Sequence, residues 1–176
     1  MKRTVTLLCC FSLCSLPGLA QKKSSGSSLS DQQFVNFAAQ TDMVDANLGQ
    51  LARTVAPSEP IKDYARELVT DQTNDFQVLS RVAQQSSLKL PSAIDNNHDR
   101  AMIDPFQKLK GGTFDHRFVR EMIEKDTRAI EIYKKEASHA QAPALRFYAE
   151  EALPILQGDL SKAVAIEVRT TATKKG

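Results

Sequence analysis

A chain of 176 residues, 41% hydrophobic and 25% charged, is long enough to bury one proper core without the staples that smaller chains need. Its 23 Lys and Arg against 21 Asp and Glu give a formal charge of +2, and Lys2 and Arg3 account for all of it. The remainder is balanced, and a neutral, well-mixed surface excludes nucleic acid as the main partner.

Residues 1–20 read as a cleavable secretory signal. Lys2 and Arg3 supply the positive start, Val5 to Leu16 is an apolar run broken by Thr6, Ser12 and Ser15, and Pro17-Gly18-Leu19-Ala20 offers a cut before Gln21. The apolar run is short for roughly 30 Å of hydrocarbon. Cys9, Cys10 and Cys14 all lie inside this segment, so the mature chain is expected to use no disulfide, thiol nucleophile or cysteine-ligated metal. The expected address is the periplasm or the exterior, and no later stretch is apolar enough for a transmembrane span.

Residues 21–29 form a Ser-rich tether with little to pack. The bundle domain is expected over residues 30–168. Ser30 opens its first helix, with Gln33 placed to complete a capping box. Phe34, Phe37, Ala38, Thr41, Val44, Leu48, Leu51 and Val55 then form one helical stripe. Pro57 to Pro60 turns the chain into a second helix capped by Ser58, with Ile61, Ala65, Leu68, Phe76, Leu79 and Val82 inward. A longer link from Leu88 to Asn97 leads to a short helix over about 99–110, with Pro105 as its kink or boundary. Gly111-Gly112 predicts a stop, and Thr113 a cap for the next long helix, which buries Phe118, Val119, Met122, Ala129, Ile130 and Tyr133. Pro143 begins the last helix, striped by Leu145, Tyr148, Ala149, Ala152, Leu156 and Ala163 and interrupted by Pro154. Residues 169–176 read as a polar tail. The fold class is all-α, an up-down four-helix bundle with one extra short helix.

Each long segment carries a polar residue near mid-length on or beside its apolar stripe: Asp45, Gln72, Asp126 and Asp159. Counting from the helix starts at 1.5 Å per residue puts all four at about one depth. Asp42, Asp71 and Asp75 lie close enough along the chain to add to the same region. A carboxylate facing a core must be paired, hydrogen-bonded, protonated or bound to a cation. Two readings follow: a divalent-metal site of oxygen ligands, calcium or manganese before zinc, or an internally satisfied polar layer that sets helix register.

Catalytic patterns are otherwise missing from the text. Di-iron chemistry on a bundle needs Glu-x-x-His on two helices, and one copy exists, Glu136 with His139, read here as a surface pair. His98 and His116 fall at a link and a helix start, and read as solvent-facing. No triad order, phosphate loop or nucleophile elbow is visible, so no catalytic or cofactor-binding residue is assigned and the chain is read as a non-enzyme. Glu121, Glu124, Glu150 and Glu151 read as solvated helix faces, and Lys108 with Lys110 as a small basic spot.

Four passages, DMVDANLG at 42–49, YARELVTD at 64–71, GTFDHRFV at 112–119 and ALPIL at 152–156, resemble a bacterial export family of unknown function, number 4142 in that series. The resemblance spans about residues 30–167 and implies a ferritin-like bundle with no established activity. It also implies an acidic residue at Asp45, and His where this chain has Gln72, Asp126 and Asp159. A Glu-plus-His layer would suit a transition metal. The layer here, Asp, Gln, Asp and Asp, implies either harder ions or no binding.

Overall fold

The computed structural model describes residues 29–91 and 98–173. The signal and all of the tether but Leu29 lie outside the described residues. The described residues form five helices: α1 (Asp31–Val55), α2 (Glu59–Gln85), α3 (His98–Gln107), α4 (Gly111–His139) and α5 (Pro143–Thr173). The fold is all-α, with four long helices in a bundle and α3 as the short extra piece.

Local chemistry explains most of the boundaries. Ser30 and Gln33 form a reciprocal capping box at α1, with the Gln33 N–H donating to Ser30 Oγ at 3.3 Å and the Ser30 N–H to Gln33 Oε1 at 2.9 Å. Ser58 is the N-cap of α2 through its backbone alone, its carbonyl accepting from Ile61 and Lys62, and Pro60 sits harmlessly in the first turn. The start of α4 departs from the sequence reading. Gly111, at a φ of +60°, is already its first residue, and Lys110 rather than Thr113 is the cap. Glycine reaches that left-handed conformation without the Cβ penalty, so the helix opens at the pair that was expected to stop the chain. Pro105 lies inside α3, and α5 runs on through Pro154 and into the segment read as a polar tail.

Helix direction follows from contacts at one end. Asp31, at the start of α1, accepts from the backbone N–H groups of Gln141 and Ala142 at 2.8 and 2.7 Å. Gln32 beside it exchanges hydrogen bonds with the Lys89 backbone just past α2, at 2.7 and 2.9 Å. The start of α1 therefore meets the end of α2 and the α4–α5 turn. Strict alternation would make α2 and α4 antiparallel; they are parallel, because the link with α3 carries the chain back along the bundle. One long crossover of this kind is the ferritin-like arrangement. Within the first hairpin the helices approach closely at Gly49, where a Cβ would stand 2.8 Å from Val69 Cγ2 and 3.1 Å from the Ala65 carbonyl.

The core has two halves. One gathers Phe34, Leu79, Tyr133, Leu145 and Tyr148 around the start of α1. The other gathers Leu48, Ile61, Leu68, Phe114, Phe118 and Met122, and α3 adds Phe106, edge-on to Phe114 at 6.2 Å. On α2, α4 and α5, Gln72, Asp126 and Asp159 fall where one half gives way to the other.

Candidate functional site

Asp45, Gln72, Asp126 and Asp159 are all buried, between 1% and 3% exposed. The register that put them at one depth also points them inward, including Asp159, which stands at the edge of its stripe beside Leu160. Tyr64 adds a buried phenol, and the charges of Asp126, Asp159 and Asp45 join burial in raising its pKa well above the ordinary value.

Burial dominates the electrostatics. It pushes the Asp126 carboxyl up to about 8, with Asp45 and Asp159 adding to the rise and Lys125 opposing it. Asp159 is raised to about 6 by burial and then by Asp71, with Lys162 pulling back. Asp45 is raised by burial against the Lys125 ammonium, which reaches from α4 to Asp45 Oδ1. Both Asp126 oxygens, one oxygen each of Asp45 and Asp159, and the Tyr64 hydroxyl have no hydrogen-bond partner among the described residues. Burial thus favours a proton on Asp126, while Lys125 sits against Asp45 and offsets part of the cost of its charge.

Asp42 and Asp75 form a separate arrangement on the side of the first half-core. Burial, then the Asp75 charge, holds Asp42 well above the carboxylate range, and it hydrogen-bonds Asp75. Two carboxyl groups in contact share a proton because both cannot ionise. Tyr148 donates to Asp75 Oδ2 at 2.6 Å, which leaves Tyr133 as donor in its 3.2 Å contact with Tyr148. The result is a continuous hydrogen-bonded run from α4 through α5 and α2 to α1.

Three acids behave differently from the sequence reading or escaped it. Glu136, read as half of a surface pair, is buried, and its Oε1 accepts from the Leu29 N–H at 2.9 Å. His139 is exposed, its Nδ1 2.8 Å from the Lys135 carbonyl. Asp115 is also buried; burial raises its pKa while the Ser58 backbone N–H opposes the rise, which ties the start of α4 to the start of α2. Glu121 is half-buried and salt-bridged to Arg117, whereas Glu124, Glu150, Glu151, Lys108, Lys110 and His116 are exposed. The side chain of His98 lies outside the described residues. Lys125 carried no sequence signal, because its neighbours along α4 are polar and its partner lies on another helix.

As they stand, no three His, Cys, Asp or Glu side chains among the described residues are grouped so as to hold a metal ion. The oxygen donors suit a hard cation in kind, but Lys125 already supplies a positive charge at Asp45. Among the described residues no helix is long and apolar enough to cross a membrane.

The family described as Domain of unknown function (DUF4142) matches residues 16–166, and the chain belongs to it. No curated protein matches. Among solved structures the chain is similar to "CopM in the Cu(II)-bound form", with a TM-score of 0.67, 16% identity, and cover of 81% of this chain and 99% of that one. It is also similar to "CopM in the Ag-bound form (by co-crystallization)", with a TM-score of 0.63, 16% identity, and cover of 78% and 95%. At that identity the likeness shows a shared helical-bundle fold.

Proposed function

We propose, for this member of a family without assigned activity, an exported bacterial bundle that acts by structure and interaction in the cell envelope rather than by catalysis. Burial of the layer is the observation that carries this: Asp45, Gln72, Asp126 and Asp159 are at most 3% exposed, and a substrate cannot touch them. The Asp45–Lys125 pair and the protonated Asp126 then serve helix register across two half-cores. Export rests on the signal at residues 1–20, and a periplasmic chain beginning at Gln21 is the expected product. An envelope-stress role fits such an address.

Complementation tests the non-enzymatic part. Asp126→Asn keeps the shape of the protonated acid and cannot exchange a proton. A deletion strain should regain its wild-type phenotype with a folded Asp126→Asn chain. A folded variant that fails to complement would sink the reading.

A second reading, divalent-cation binding, is favoured by the unpaired oxygens of Asp45, Asp126 and Asp159. The structural neighbours whose titles name Cu(II) and Ag lend it support at the level of a shared bundle. Oxygen donors without imidazole or thiolate favour harder ions than those, calcium or manganese. An ion that binds the folded chain raises its melting temperature by mass action, so thermal unfolding with and without chelator decides this reading.

A further inference from the structure

The acidic layer is flanked by a lysine at each of two opposite seams, and the two lysines differ. Between α1 and α4, Lys125 is 13% exposed and seated on buried Asp45. Arg128 adds a second positive charge to the same shallow cavity, beside the apolar walls of Phe37, Val44 and Met102. Between α2 and α5, Lys162 is 46% exposed, with its Nζ 2.5 Å from Glu67 Oε2 and 3.8 Å from Asp159 Oδ1. That lysine lines a groove of about 410 Å³ together with Arg66, Glu67, Thr70 and Asp71.

The charges of this groove do not balance. Glu67 and Asp71 stand one turn apart on α2 and so share its face. Both charges bear on Asp159 from across the seam. Arg66 is engaged with Asp63. Three carboxyl groups therefore surround one long, flexible ammonium. Behind it, Asp159 is buried, with Oδ2 lacking a partner among the described residues.

We propose that the groove between α2 and α5 is a divalent-cation site of the calcium or manganese type. Glu67, Asp71 and Asp159 are its carboxylate ligands, and the Lys162 ammonium holds the ion's place until it arrives. All donors are oxygens, which selects hard cations. Lys162 can leave because its stem reaches solvent, and a dication then replaces a single charge. Its ammonium now lies within reach of both Glu67 and Asp159, at 2.5 and 3.8 Å. Glu67, more than half exposed, is free to turn and close the site. This inference rests on the cation-binding reading but moves the ion from the bundle axis to its surface. Asp45, Gln72 and Asp126 then act as support behind the site.

Manganese titrated into the mature chain tests it, with paramagnetic broadening of backbone amide signals as the map. Broadening should centre on residues 67–71 and 159–162. Asp71→Asn should weaken Mn²⁺ binding at least tenfold. Lys162→Gln should tighten it several-fold, since the competing ammonium is gone; a merely structural lysine would not do this. Unchanged or weaker binding in Lys162→Gln overturns the proposal. Broadening centred on residue 126 that is lost in Asp126→Asn but kept in Asp71→Asn overturns it too, while leaving cation binding intact. No Mn²⁺ binding at millimolar concentration overturns both.

Discussion

Two groups of acids share the interior of this bundle, and they solve the same problem differently. Asp42 and Asp75 keep a proton between them and pass hydrogen bonds on to Tyr148 and Tyr133. Asp45, Asp126 and Asp159 lie a turn or less away in depth, yet lean on Lys125 from a neighbouring helix and Lys162 from the next turn, and leave four oxygens unpaired among the described residues. The first group leaves a single oxygen, Asp42 Oδ2, without a partner among the described residues. The second is poised, because a buried acid without a partner is costly in its charged form and must keep its proton or find a cation. The two groups thus differ in how much of their hydrogen bonding is completed within the bundle.

The largest expected effect comes from removing the cation of the second group. Lys125→Met strands the Asp45 carboxylate in the core, and loss of one partner of a buried pair costs about 3–5 kcal/mol. Chemical denaturation of the two chains at pH 7 measures it. A loss below about 1 kcal/mol would mean that Asp45 needs no counter-charge, and the contrast between the groups would collapse.

Next comes pH. Asp126 holds its proton up to about 8 in the folded chain, against an ordinary 3.8 when unfolded. Between those values the unfolded chain has released a proton that the folded chain keeps. The stability this confers is fully present below the unfolded value and is lost as pH rises towards 8. Asp159, at about 6, adds to the same fall over the lower part of that window. Asp126→Asn removes the largest contribution, so the variant should be more stable than wild type at pH 9, by something on the order of 3 kcal/mol. Thermal unfolding from pH 4 to 9 gives both curves, and parallel curves would refute the assignment.

The first group should respond least, and unevenly. Tyr148→Phe removes the 2.6 Å donor to Asp75 and should cost about 2 kcal/mol. Asp42→Asn keeps a donor towards Asp75 and should stay within about 1 kcal/mol of wild type. Equal losses in the two variants would show that the run of hydrogen bonds is not the organising feature.

Much of this was legible from residue order. The stripes that begin at Phe34, Ile61, Phe118 and Leu145 predicted which faces are buried, and counting along them brought Asp45, Gln72, Asp126 and Asp159 to one level inside. The lateral partners were not legible. Lys125 meets Asp45 across helices far apart in the chain, and periodicity says nothing about what a long side chain reaches. Glu136 looked superficial because it sits beside charged neighbours near a helix end, yet it is buried and takes the Leu29 N–H just ahead of α1. Direction was hidden as well. A link of the length that precedes α4 can turn back or cross over, and the choice is made by end-to-end contacts such as Asp31 with Ala142.

Those end contacts also give the molecule a front and a back. The Leu29 N–H is tied to Glu136 at 2.9 Å, which places Leu29 beside the α4–α5 turn. The α1–α2 turn then lies at the far end of a 25-residue helix, about 37 Å away. Ala56 and Pro57 therefore stand at the opposite end of the bundle from Leu29, and the start of α4 lies with them, tied through Asp115 to Ser58.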